Sequence, residues 1–374
     1  MDENNRPDPH TDTAVHTIFT DLWAAQGSQL HFLLCPVFEC LIEGERGGGK
    51  TDALLMAFAM HVGRGHGADW RGVIFRKTYK QLKDVVAKSR KWFKAFFPQA
   101  SFNAQEMCWT FPEGEQLFFS YMRTEADYEN YHGHAYPFVG WEELTTWAND
   151  KAYKLMFSCV RSSNPKVPRM VRATTNPYGV GHNWVKSRFR LPHQRGRRIP
   201  GDIDPETGFR LPDRIAMQSI LEENVALLSA TPNYKGLVLA AARNPSERRA
   251  WASGDWNIVA GGMFDDLWNP GCHIIPDFPA DAVPPGWRLY RSYDHGSSHP
   301  FSVGWHFVSD GQPLEWEGKS IGPIRGDVIR WAEWYGWTGV RNEGRRMLSL
   351  DIGKGIRKRE VTLLVRGKVR PGPA

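Results

Sequence analysis

The chain has 374 residues, 41% of them hydrophobic, and a formal net charge of +6, which suits a globular protein of two domains, and it carries no internal repeat or low-complexity tract. Its most apolar early stretch, LHFLLCPVFECLI, is broken by Pro36 and Glu39, so no membrane span is expected. Five cysteines without a CxxC pair argue against a disulfide framework or a zinc ribbon and suit a reducing cytoplasm.

The charge is unevenly spread. From Arg341 onward there are ten Lys or Arg against three Asp or Glu, so the rest of the chain is nearly neutral. A basic segment of this kind is a weak indicator of a nucleic-acid partner, because solvated basic tails are common. At the other end, residues 1–20 open with MDENNRPDPHTDT, which has neither the cationic start nor the apolar run of a secretory signal, and read as a disordered arm.

Taken in chain order, the first predicted element is a short strand, ECLIE (Glu39 to Glu43), which leads into GERGGGKT. After that turn Leu54, Leu55, Phe58, Ala59 and Val62 recur at helical spacing. Gly44, Gly49, Lys50 and Thr51 complete G-x-x-x-x-G-K-[ST] between a strand and a helix, the context in which this pattern is informative. Glycines let the backbone of Gly44, Glu45, Arg46, Gly47, Gly48 and Gly49 turn its N–H groups toward phosphate oxygens. Lys50 would reach the outer phosphates and the Thr51 hydroxyl would ligate Mg²⁺.

Next come a buried-strand pattern, GVIFRK, and a helix with Leu82, Val85, Val86, Trp92, Phe93 and Phe96 on one face. MCWTFPEGEQLFFSYM reads as two strands around a Pro-Glu-Gly turn, and YPFVGWEELTTW as an apolar strand ending in Glu142 and Glu143. Alone, two acids after an apolar run more often mark a strand giving way to a solvated helix start. Following a phosphate loop, they meet its need for one carboxylate on the metal side and another on the attacking water. The strand MVRATTNP ends in Thr174, Thr175 and Asn176. These sit either where ligands bind in an open α/β sheet, able to sense the outer phosphate, or simply at an Asn-Pro turn.

Residues 190–218 carry an Asp-Pro-Glu-Thr-Gly turn between two basic, strand-like arms and read as part of a small lid. RLYRSYD and FSVGWHFV form two more strand-like runs joined by GSSHP, with Asp294 near the end of the first. IRGDVIRWAEWYG and RRMLSLDIGKGIRKRE read as helices, placing Asp327 and Asp351 on solvated faces. Of the sixteen tryptophans, Trp92 and Trp305 alternate with apolar neighbours and read as core rather than as base-stacking platforms.

GERGGGKT, GWEELTTW and ATTNP, in this order and at these intervals, resemble the large terminase subunit of tailed bacteriophages, the ATPase and nuclease that packages viral DNA. AWASGDWNIVAGGMFDDLW (residues 250–268) is similar to the segment joining that family's ATPase to its nuclease, and YRSYDHGSSHPFSVGW to the opening strands of its ribonuclease-H-like nuclease. The resemblance implies an α/β chain: a P-loop NTPase core of the ASCE type with a mainly parallel sheet, followed by a ribonuclease-H-like domain. The expected boundaries are 21–190 for the ATPase core, 191–270 for the lid and linker, and 271–374 for the nuclease domain. That last domain is expected to be incomplete at its C-terminal end, where another strand and another acid would follow, so its cleavage is expected to be impaired.

By the same resemblance Arg46 matches the loop arginine that couples ATP to motion, and Glu142 stands where many members have an aspartate Mg²⁺ ligand. Glu143 matches the glutamate that activates water, Thr174 to Asn176 the coupling motif, and Asp294 the first metal-binding aspartate of the nuclease, served by Mg²⁺ or Mn²⁺. Where some relatives carry an arginine that completes a neighbour's site, this chain has His132 before Gly133; Arg123 is a substitute. Implied partners are double-stranded DNA, the small terminase subunit, the portal protein of the procapsid and further copies in a ring, all in the cytoplasm of the bacterial host and with no membrane. Another P-loop translocase such as a helicase, or an inactive prophage remnant, are the alternatives.

Overall fold

The computed structural model describes residues 22–258, 270–339 and 343–371. The expected N-terminal arm and most of the joining segment after Ile258 lie outside the described residues. The chain divides into two compact units between Trp268 and Asn269.

The first unit contains, in order, α1 (Ser28–Leu33), β1 (Glu39–Gly44), α2 (Lys50–Ala59), β2 (Arg71–Arg76), α3 (Tyr79–Phe96), β3 (Ser101–Asn103), β4 (Cys108–Thr110), β5 (Gln116–Tyr121) and β6 (Phe138–Trp141). It continues with α4 (Lys151–Leu155), β7 (Met170–Thr175), α5 (His182–Arg188), β8 (Arg214–Ser219), α6 (Val225–Ala230), α7 (Tyr234–Ala241) and α8 (Pro245–Ser253). Eight strands form one sheet in the order β3-β4-β5-β2-β6-β7-β1-β8. All pairs from β5 to β8 are parallel, while β3, β4 and β5 make an antiparallel edge around the predicted Pro-Glu-Gly turn.

Every residue of β1, β6 and β7 is buried, as unbroken apolar runs require when both faces of a parallel sheet are covered. One face packs on Leu54, Phe58, Trp70, Val85 and Phe93, the other on Trp141, Trp147, Tyr153, Trp184 and Trp256. Helix α3 begins in a capping box between Thr78 and Gln81 and buries Leu82, Val85, Val86 and Phe93, a 3.6-residue stripe. Trp92 is only half-buried at the edge of this stripe, whereas Trp305 is fully buried in the second unit.

Register places the functional ends together. Trp141 of β6 pairs with Ala173 of β7, which pairs with Leu41 of β1. Glu142 and Glu143 therefore leave β6 at the level where β7 presents Thr174 and Thr175 and β1 enters the glycine turn. The predicted lid differs from expectation in its second arm. Residues 214–219 form β8, the edge strand of the main sheet beside β1, because Ile215 and Ala216 extend the buried layer. The hairpin-like form runs from Ile199 to Arg214, the first residue of β8, closed through the Asp204–Thr207 turn.

The second unit contains β9 (Arg288–Asp294), β10 (Ser302–Val308), β11 (Leu314–Trp316), β12 (Lys319–Ile321), β13 (Val328–Tyr335), α9 (Ser349–Thr362) and β14 (Val369–Pro371). Its main sheet runs β13-β10-β9-β14, with β9, β10 and β13 antiparallel and β14 parallel to β9 after α9. Asp351 lies in α9 as expected, but the helix expected over IRGDVIRWAEWYG is the strand β13, preceded by Asp327 in a turn onto Ile324. A bulge explains the misreading. Trp305 pairs with Ala332 but His306 with Arg330, so Trp331 is an extra residue on β13. The core-packed positions Ile329, Trp331, Ala332 and Trp334 therefore break strict alternation, and the run imitates a helical period.

Candidate nucleotide site

The site is built on two sharp bends that flank helix N-termini. Gly44 (φ +131°) and Gly49 (φ +72°) adopt conformations that side chains disfavour, and a Cβ at Gly44 would lie 2.2 Å from the Ser219 carbonyl oxygen. Loop carbonyls are turned outward and held: Lys50 Nζ donates to Glu45 O (2.5 Å), Asn224 Nδ2 to Gly47 O (2.5 Å), and Gln29 Nε2 and Ser219 Oγ to Gly48 O (both 3.1 Å). Among the described residues no protein acceptor takes the N–H groups of Gly47, Gly48 or Gly49. Outward carbonyls and unclaimed amides at the start of α2 make an anion-binding nest.

This nest opens into a cavity of about 650 Å³ lined by Arg46 to Thr51, Glu143 and Asn176. Lys50 Nζ also donates to Asn176 Oδ1 (3.0 Å), and Asn176 Nδ2 donates to both Glu143 oxygens (3.2 and 3.3 Å). Thr51 Oγ1 donates to Glu142 Oε1 at 2.6 Å, and Arg76 Nε lies 3.2 Å from Glu142 Oε2. Burial raises the Glu142 carboxyl above its ordinary range, opposed by Arg76 and by the Thr51 hydrogen bond. Two hard oxygen donors converge there, and Glu142 Oε2 receives no hydrogen bond, so the pair fits a hard divalent cation such as Mg²⁺.

Glu143 occupies the left-handed region (φ +58°), unusual for a side chain and characteristic of functional corners. Its amide donates to Thr174 Oγ1 (3.3 Å), and its carbonyl accepts from Thr146 N and Oγ1. Thr175 Oγ1 accepts from Thr145 N (3.1 Å) and lies 2.9 Å from Thr145 Oγ1. Thr174, Thr175 and Asn176 are thus stitched to the turn that carries Glu143.

The structure also separates some predicted residues. Glu45 turns away from the cavity, its carboxylate accepting from Leu221 N (2.9 Å). Arg46 stays at the cavity, with its guanidinium 3.4 Å above the Trp251 ring of α8. His132 and Arg123 are exposed, and Arg123 borders a different cavity with Lys77 and Trp147. Asp294 belongs to the second unit, exposed at the end of β9 opposite Ser302. Among the described residues no cluster of three His, Cys, Asp or Glu is arranged to hold a metal.

Sequence reasoning missed Gln29 and Asn224, which reach the loop from far along the chain and carry no local signal. It also missed Lys88 on α3, whose three-residue offset from Val85 and Lys91 was available from the helical period. A third omission is the support beneath the loop. Buried Glu43 accepts from Arg195 Nε (2.5 Å) and Nη2 (3.2 Å) and from Trp256 Nε1 (2.6 Å), and Arg195 also donates to Gly254 O.

A mainly parallel sheet with a glycine nest on β1, paired acids after β6 and the additional strand β7 between them is a P-loop NTPase core. Residues 41–268 match the family model described as the large terminase subunit, T4likevirus-type, N-terminal. The chain belongs to the large terminase subunit family. No curated protein matches it in sequence. Among solved structures, the large terminase of a thermophilic bacteriophage is 14% identical over 94% of this chain and 78% of its own, with a TM-score of 0.49. The large terminase ATPase domain of Thermus phage P74-26 is 12% identical over 67% and 99%, with a TM-score of 0.44. The large terminase of bacteriophage HK97 is 12% identical over 99% and 70%, with a TM-score of 0.39. Among the described residues no helix is long and apolar enough to cross a membrane.

Proposed function

We propose that the first unit hydrolyses ATP to drive double-stranded DNA into a procapsid. The observation that carries this reading is the chain of contacts Lys50–Asn176–Glu143, with Thr51–Glu142 beside it, at the ends of β1, β6 and β7. The nest amides and Lys50 bind the phosphates, and Thr51 and Glu142 would hold Mg²⁺, which would supply charge neutralisation on the phosphate oxygens. Glu143 orients water against the terminal phosphoryl group and accepts its proton. Thr174 to Asn176 report loss of that group through Thr145. The ring, the portal and the small terminase subunit are the partners this reading carries with it.

For the second unit we propose a ribonuclease-H-like fold with weak cleavage. Three antiparallel strands, a helix and a fourth strand parallel to the first support the fold. Asp294 supplies one carboxylate, and among the described residues no cluster of acids converges on it, whereas two-metal phosphodiester cleavage needs several. The test is one preparation in two assays: ATP hydrolysis stimulated by duplex DNA, and nicking of plasmid with Mg²⁺ or Mn²⁺. Turnover with little nicking is expected. Absence of any ATP hydrolysis overturns the motor reading, and robust nicking abolished by Asp294→Ala overturns the second proposal.

A pH dependence follows from Lys50. Burial lowers its ammonium to about 8, against the opposing pull of Glu143, Glu43 and Glu45. The phosphate-binding form is the protonated one, so ATP affinity should hold below that value and fall as pH rises through it. Phosphates favour the cation, so binding near pH 8 should take up protons. Calorimetry in buffers of different ionisation heat reads this uptake, and affinity with no proton linkage across about pH 7–9 would remove Lys50 from the phosphates.

A further inference from the structure

Phosphoryl transfer spreads negative charge over the equatorial oxygens of the moving group, and a cation placed there lowers the barrier. Arg46 is stacked on Trp251, Arg76 is occupied with Glu142, and Arg123 borders another cavity. Lys91 Nζ rests 4.3 Å from the centroid of its neighbour Trp92. Lys88 differs from all of these. It is half-buried, lines the nucleotide cavity with Thr51 and Glu143, and makes no hydrogen bond or ion pair among the described residues. Its charge already acts on buried Glu142, lowering that carboxyl against the burial effect.

The helix that carries Lys88 is fixed to the phosphate loop. Trp92 Nε1, one turn further along α3, donates to Asp52 Oδ1 at 3.0 Å, and Asp52 follows Thr51 in the first turn of α2. At its other end α3 follows β2, whose last residue is Arg76, the partner of Glu142. An unpaired ammonium on a helix clamped at both ends is pre-organised for an anion in the cavity.

We infer that Lys88 is a second, cis-acting lysine on the terminal phosphate; this rests on the ATP-hydrolysis reading above. The water oxygen forms a bond to the γ-phosphorus while the bond from that phosphorus to the β,γ-bridging oxygen breaks. The electron pair of the broken bond leaves on ADP, the water proton passes to Glu143, and inorganic phosphate is released. Lys88 donates a hydrogen bond to a γ-oxygen and takes no part in the proton transfer, so it distinguishes ATP from ADP.

The experiment compares the full chain with Lys88→Ala, Lys88→Arg and, as a control on the solvent face of α3, Lys83→Ala. Turnover is measured alongside the affinities for ADP and a non-hydrolysable triphosphate. Lys88→Ala should lower turnover by roughly 100-fold and triphosphate affinity by about tenfold. It should leave ADP affinity at the wild-type value, with part of the turnover restored by Lys88→Arg and none lost in the control. Unchanged turnover and triphosphate affinity in Lys88→Ala overturns the inference alone, as does a parallel loss of ADP affinity. A wild-type chain that does not hydrolyse ATP overturns the underlying reading first.

Discussion

Glu143→Gln is expected to slow ATP hydrolysis by roughly 10³-fold while changing nucleotide affinity by less than about twofold. The substitution keeps the volume of the side chain and its place on the left-handed corner after β6, but an amide cannot accept the water proton. The corner itself is held by backbone and hydroxyl contacts to Thr146 and Thr174, none of which uses the carboxylate. Binding and chemistry should therefore separate cleanly. A variant that hydrolyses ATP at the wild-type rate would remove Glu143 as the base. One that loses nucleotide affinity to the same degree as turnover would make its role structural.

The largest effect on stability is expected beneath the loop. Glu43→Ala should destabilise the first unit by about 3–5 kcal/mol, because it leaves a largely buried guanidinium and an indole N–H without their acceptor. Glu43 is fully buried, and burial raises its carboxyl against the lowering effect of Arg195, so ionisation here depends on that partner. Denaturant unfolding followed by far-ultraviolet circular dichroism measures the loss. Removing Arg195 as well should recover part of it, since the uncompensated charge then disappears. A loss below about 1 kcal/mol for the single variant would show that water or a rearranged side chain replaces the carboxylate.

Much of the layout of this candidate site was legible in the sequence because its segments are local. A strand, a glycine turn and a helix are contiguous from Glu39 to Ala59, and the acid pair and the Thr-Thr-Asn run each close an apolar strand. What sequence could not supply is order in space. Nothing in MVRATT states that it inserts between β1 and β6, and nothing in RIAMQS distinguishes a lid arm from the edge strand β8. The side chains that hold the loop, Gln29, Asn224 and Arg195, arrive through tertiary folding alone. The error at β13 has a different origin: one extra residue at Trp331 shifts the alternation, and hydrophobic period, the primary signal, then points to the wrong element.

Asn176 gives its oxygen to Lys50 and its amide hydrogens to Glu143. A single planar group thereby ties cradle and base into one mechanical unit. Whatever draws the ammonium toward an incoming ligand must also pull on the amide plane, and so on the carboxylate beyond it. On the proposed reading, arrival of fuel and readiness to burn it would be joined through one short side chain.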